Sequence, residues 1–182
     1  MKGFEINDFL DICKRRQSCR DFSPRAVEHE KLMLCAEAGR LAHSACNSQP
    51  WSFIVVENPD KVAETAKRCQ QLNQNIYIAG AQAFVIILEE HAVLSPVIRC
   101  FLDSQYYAKG DLGAACAYVC LEAAAQGLGS CIIGLYDREK ICALLDIPIE
   151  KRFGALIALG YPADDRIRPK IRKSFEEVVR FI

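Results

Sequence analysis

Apolar residues along this chain fall into two patterns, one spaced as on a single helix face and one run together, and the two alternate. From Phe4 to about Arg16, the residues Phe4, Phe9, Leu10, Ile12 and Cys13 fit an amphipathic helix that ends in the bases Lys14, Arg15 and Arg16. Ser23-Pro24 breaks the chain. Helical spacing resumes from Glu28 to about Ala42, with Leu32, Cys35, Ala38, Leu41 and Ala42 facing inward. Trp51 to Glu57 is β-branched and aromatic and predicts a strand. Asn58-Pro59-Asp60 predicts the cap of a helix running to about Leu72. Ala83 to Leu88 is almost wholly apolar, as in a central strand covered on both faces.

Glu89 to Gly110 is the least patterned stretch, with Pro96 and the aromatics Phe101, Tyr106 and Tyr107. Such a segment either serves as a lid or packs its rings in a satellite cluster. Asp111 predicts the cap of an Ala-rich helix from Leu112 to Gln126, apolar almost all round and therefore interior. Gly127 to Gly134 reads as a short apolar strand between glycines. Asp137 opens another helix, closed by Ile147-Pro148, and Phe153 to Tyr161 is the last core strand. The tail from Pro162 is polar and concentrates Arg166, Arg168, Lys170, Arg172 and Lys173. It is either a loose basic arm or a flap that closes over an anion. The pattern as a whole predicts a sheet with helices on both sides.

A chain of 182 residues suits one domain, 1–182, burying roughly 70% of the surface its unfolded form exposes. With 23 basic and 23 acidic residues, the overall charge points to neither nucleic acid nor a membrane surface, so any anion site is local. The N-terminus lacks a signal-peptide core, which predicts a cytoplasmic protein. The most apolar stretch, Leu112 to Leu128, carries Glu122 and Gln126 and falls short of the roughly 20 residues that span a bilayer. Ten cysteines without an export signal read as reduced thiols packed as small hydrophobes. Cys116 and Cys120 share a helix face, but no His or further Cys lies near them to complete a metal site, and none is expected.

The chemistry concentrates in Arg16-Gln-Ser-Cys-Arg-Asp-Phe22. If Arg16 and Arg20 stand on one helical turn they project to the same side, with the Ser18 hydroxyl between them. That donor set suits a phosphate or another planar anion. The same bases also suit a solvated patch complementing a helix dipole. No Gly-x-Ser-x-Gly, Walker loop or His-Glu-x-x-His is present, and His29, His43 and His91 lack paired carboxylates at useful spacing. Gly127-x-Gly129 follows a helix and opens a strand, the reverse of the dinucleotide-binding order. A cofactor that brings its own chemistry would explain the lack of a protein-borne nucleophile or acid-base pair.

Several motifs in order make the resemblance specific: Arg16-x-Ser18-x-Arg20-x-Phe22, Ser44-x-x-Asn47-x-Gln49-Pro50-Trp51, Phe53-Ile-Val-Val56, Gly127-Leu-Gly129-Ser-Cys131, Gly134, Gly160-Tyr-Pro162 and Lys170-x-Arg172. In them the chain resembles the nitroreductase family of FMN-dependent oxidoreductases, in its short form. The resemblance runs from about residue 9 to the C-terminus and is weakest over 89–110.

It implies an α+β, three-layer sandwich with a mostly antiparallel sheet flanked by helices, assembled as an intertwined homodimer whose arm, about 163–182, embraces the partner subunit. FMN would lie in each interface. Arg16 and Ser18 would bind its phosphate end, Gln17 the pyrimidine edge, and Arg20 would stabilise negative charge at N1/O2. Ser44 and Asn47 would approach from the partner subunit. Ile132, Ile133 and Gly134 would lie along the ring, with the Ile133 amide directed at N5, and Lys170 and Arg172 would complete the phosphate clamp. The implied reaction passes two electrons from NADH or NADPH through FMN, by ping-pong hydride chemistry, to a small acceptor such as a nitroaromatic or quinone. The alternatives are reductive dehalogenation or flavin destruction on the same fold, and a non-enzymatic flavin-binding or redox-sensing protein. Three positions depart from the family pattern: His43 where many members carry Pro, Ile132 where a Trp-type residue is usual, and Ile133 where larger relatives place an acid.

Overall fold

The computed structural model describes residues 8–100 and 103–182. The predicted helical residues 4–7, and Phe101, lie outside that set. The elements in order are α1 (Asp8–Arg15), α2 (His29–Arg40), β1 (Trp51–Val56), α3 (Pro59–Cys69), β2 (Ala83–Glu89), α4 (Pro96–Arg99), α5 (Ser104–Ala125), β3 (Gly129–Ile132), α6 (Arg138–Leu145), β4 (Arg152–Gly160) and α7 (Phe175–Val178). The four strands form one sheet in the order β1-β2-β4-β3, every neighbouring pair antiparallel.

Side chains alternate across a strand, so an uninterrupted apolar run feeds two cores. Phe84, Ile86, Leu156 and Ala158 pack with Val62, Ala66 and Cys69 of α3 and Ile141 and Cys142 of α6. Val85, Ile87, Ile157 and Leu159 face the other way, onto Leu32 and Cys35 of α2 and Leu112, Ala115 and Val119 of α5. The result is an α+β sandwich of three layers, helix, sheet, helix. All ten cysteines are free thiols, seven of them buried.

Three local expectations change. Leu41 is 62% exposed because, at about 100° per residue, it stands on the side of α2 opposite the buried Leu32, Cys35 and Gly39. Asp111 does not cap a helix. Asp103 does, accepting from the Gln105 amide, and α5 therefore begins seven residues before Asp111. Asp111 is instead buried within α5 and accepts from the Ala45 amide at 3.2 Å. Tyr106 and Tyr107 lie in the first turns of α5, edge to face with each other at 5.9 Å and exposed, rather than in a packed cluster.

Candidate functional site

α1 ends at Arg15, and the next residues run extended along β3. Ser18 forms a parallel bridge with Ser130, the Cys19 amide donates to the Ser130 carbonyl at 2.9 Å, and Phe22 bridges Pro162. Arg16 and Arg20 therefore do not share a helical turn. They still share a side, because even spacing on an extended chain keeps residues 16, 18 and 20 on one face while Cys19 turns into the core. Four extended residues separate them by about 13 Å rather than one helical pitch. The close approach depends on Gly129: a Cβ there would stand 2.6 Å from the Cys19 Cβ.

The basic tail closes over this segment. The Gln17 side-chain amide donates to the Arg166 carbonyl at 2.8 Å and accepts from the Arg168 amide at 3.1 Å, and Arg168 Nη2 donates to the Ser18 carbonyl at 2.5 Å. Lys170 Nζ donates to the Arg16 carbonyl. The Gln17 amide, expected at a pyrimidine edge, is thus engaged by the tail backbone.

Together the two segments line a concavity of about 300 Å³ with Arg16, Ser18, Arg20, Arg168, Lys170 and Arg172. An adjoining hollow of about 170 Å³ adds Arg166, Asp21 and Asp164. Among the described residues, none of these six cations is paired with a carboxylate. The Lys170 ammonium is held below its ordinary range by burial and then by the charges of Arg16, Arg172 and Arg168. Mutual repulsion of this kind marks cations that face a common space.

At the far end of β3, Ile132 is 52% exposed and Ile133 is buried. The Ile133 amide, expected to face a flavin N5, donates instead to the Leu156 carbonyl at 2.8 Å, because Ile133 continues the ladder that β3 makes with β4. Gly134 follows, exposed, with open space where a side chain would stand. Arg20 reaches this end: its guanidinium lies 5.8 Å from the centre of the Tyr77 ring. The Tyr77 hydroxyl donates to Asn75 Oδ1, and Asn75 Nδ2 donates to the Cys69 and Leu135 carbonyls, each at 3.1 Å. Asn75 is thereby occupied in fixing the loop after Gly134. Burial pushes the Tyr77 phenol and the Cys131 thiol up from their ordinary values.

Ser44 and Asn47 stand elsewhere, on a loop that includes a 3₁₀ turn, and neither lines the basic concavity of its own chain. Cys46, Asn47 and Gln49 all adopt left-handed backbone, with φ of 52°, 50° and 48°. Ser44 Oγ accepts from the Gln49 amide at 2.9 Å and Asn47 Oδ1 from the Gln49 side chain at 3.2 Å, which holds the turn. Three such residues within four positions cost of order 1 kcal/mol each, and strain of that size collects at functional sites.

Arg168, Tyr77 and Gly129 were not predicted as site residues. Arg168 was visible only as one base in a run, and Tyr77 carried no signal because its partner Arg20 is remote in sequence. Gly129 stood in a quoted motif whose purpose, the close contact with Cys19, requires the paired segment to be seen.

The model of the Nitroreductase family matches residues 13–161. The chain is 28% identical, over 96% of its length and 99% of theirs, to an oxygen-insensitive NADPH nitroreductase of Helicobacter pylori. It is 24% identical to an iodotyrosine deiodinase of Thermotoga neapolitana, over 94% of this chain and 96% of that one. A structure described as a nitroreductase in complex with FMN, from Desulfovibrio desulfuricans, superposes with a TM-score of 0.72 at 25% identity, covering 96% of each chain. Motif order, three-layer architecture and family match agree, and the chain belongs to the nitroreductase family.

Proposed function

We propose that this protein is an FMN-dependent NAD(P)H oxidoreductase that works as a homodimer and passes two electrons to a small electron-poor acceptor, a nitroaromatic or quinone. The observation that carries this reading is the set of cations, unpaired among the described residues, that residues 16–20 and 168–172 bring around one concavity. The residues fit the cofactor: a phosphate satisfies mutually repelling cations, and the extended segment spaces its phosphate-end and ring-end groups about 13 Å apart. When bound, FMN would supply redox chemistry that no side chain here offers.

Arg16, Ser18, Lys170 and Arg172 would hold the phosphate through charge-assisted hydrogen bonds. Arg20, at the ring end beside Tyr77, would stabilise negative charge at the pyrimidine edge. With the Ile133 amide committed to Leu156, the Gly134 N–H would be the donor toward the ring: among the described residues no backbone partner engages it, and no heavy atom stands within 4 Å of where a side chain would project. Exposed Ile132 would pack along the ring and help exclude water. Gln17 would act by fixing the tail. Ser44 and Asn47, on a strained loop remote from their own chain's concavity, would serve the partner subunit's cofactor. Donor and acceptor would then use the same exposed ring face in turn.

An absorbance spectrum of the purified protein, followed by anaerobic stopped-flow mixing with NADH and with NADPH, tests the reading. A flavin band that bleaches with either donor is expected. A protein that takes up no FMN, or one whose flavin neither donor bleaches, would overturn it. The deiodinase relative favours one second reading, reductive dehalogenation on the same cofactor. Turnover of an iodotyrosine by reduced holoenzyme, with nitroaromatics left unreduced, would select it.

A further inference from the structure

The two basic hollows hold more positive charge than a flavin phosphate balances. Arg16, Arg20, Arg166, Arg168, Lys170 and Arg172 line them against only Asp21 and Asp164. A phosphomonoester carries about −1.5 to −2 at neutral pH, so the loaded site keeps roughly two positive charges in excess. A whole chain with balanced charge makes this local surplus specific rather than a general property of the surface.

Arg166 shows that the surplus is not consumed by architecture. Its carbonyl accepts from Gln17 and its amide donates to Asp164, so the backbone does the structural work. Its guanidinium forms no hydrogen bond or ion pair among the described residues, yet it lines the hollow with Arg20, which reaches the ring end.

We propose that the acceptor of this enzyme is an anion, a small electron-poor aromatic or quinone bearing a carboxylate, drawn in and oriented by the excess charge of Arg166 and Arg168 beside Arg20. The inference rests on the flavin reading above and narrows its substrate class. At about 8 Å, the two excess charges of the oxidised holoenzyme favour a monoanion over its neutral analogue by about fivefold at low salt, and the one left when the reduced ring engages Arg20 favours it by about twofold. The preference fades as the screening length falls below about 10 Å.

The test has two arms on holoenzyme. Oxidised protein is titrated with benzoate and with benzamide by calorimetry, and dithionite-reduced protein is mixed with para-nitrobenzoate and with para-nitrobenzamide while flavin reoxidation is followed. Tighter binding and faster reoxidation by the anion are expected, both diminishing with salt. Arg166→Gln should reduce the preference roughly twofold while flavin content and the rate with the neutral acceptor stay unchanged. Equal affinities and rates for the two charges, or a preference indifferent to salt and to Arg166→Gln, would overturn the proposal. Failure of the flavin reading shows separately, as a missing flavin band.

Discussion

Arg20 and Arg172 carry the same group toward one concavity but from opposite ends. Arg20 sits at the ring end beside Tyr77, so Arg20→Ala is expected to slow flavin reduction by NAD(P)H more than it weakens retention. Arg172→Ala should do the reverse, and equal loss of retention in both, at unchanged reduction rates, would contradict the assignment. Lys170 offers a sharper case. Burial and neighbouring cations lower its pKa from the ordinary 10.5, so the folded protein binds fewer protons than the unfolded one and flavin-free stability rises as pH climbs toward that value. Lys170→Gln should therefore leave the melting temperature of flavin-free protein unchanged or raised, while weakening FMN binding roughly tenfold. A lowered melting temperature would show that the ammonium is structural. At this scale the sequence revealed which residue types gather and left their bonding open. The engaged Ile133 amide and the tail-bound Gln17 depend on partners far along the chain, and no local spacing encodes such a partner.

Among elements, the contact of the extended segment with β3 is the most exposed to a single change. Gly129→Ala would place a methyl 2.6 Å from the Cys19 Cβ, and overpacking of that kind costs about 1–3 kcal/mol. Because the same contact positions Arg16 to Arg20, flavin retention should fall with thermal stability. Retention unchanged in a folded variant would mean that the segment is positioned by the tail alone. A second joint ties the chain before α2 to the end of β4. The Tyr161 hydroxyl donates to Glu28 at 2.6 Å, Arg25 pairs with the same carboxylate, and the Arg25 guanidinium stacks 4.0 Å from the Tyr161 ring centre. The hydroxyl first, and the guanidinium after it, hold the Glu28 carboxyl at about 2. Its contribution is complete above the ordinary 4.5 and is lost as pH falls toward 2, so Glu28→Gln should flatten the acid limb of a melting-temperature profile across that window.

Strands were legible because their apolar runs need no partner to be recognised. β1, β2 and β4 start and end within a residue or two of the pattern. The start of α5 was not, since its polar first turns give no periodic signal and the cap at Asp103 competes with an equally plausible Asp111.

For the whole molecule, the described tail carries apolar side chains that its own chain leaves exposed, among them Ile171, Phe175, Val178, Phe181 and Ile182. A monomer rarely exposes so many in one segment, and a partner subunit is the natural cover. If the proposed dimer forms through this arm, Ile171→Asp combined with Phe175→Asp should shift the protein toward monomer in sedimentation and lose flavin with it, because the proposed contacts of Ser44 and Asn47 with the partner's cofactor would be lost. A variant that stays dimeric and holds its flavin would remove the arm from the interface. No helix among the described residues is long and apolar enough to cross a membrane.

The bonds that close the tail over residues 16–18 span 149 to 154 positions of chain. Contacts of that separation are the last to repay the entropy of bringing their ends together, and during synthesis they wait for residues near 170 to leave the ribosome. The proposed phosphate clamp would therefore be a late event, formed after the sheet that supports it. Flavin uptake would then report completed folding rather than guide it, and a chain stopped short of residue 170 is expected to bind no flavin even with its core intact.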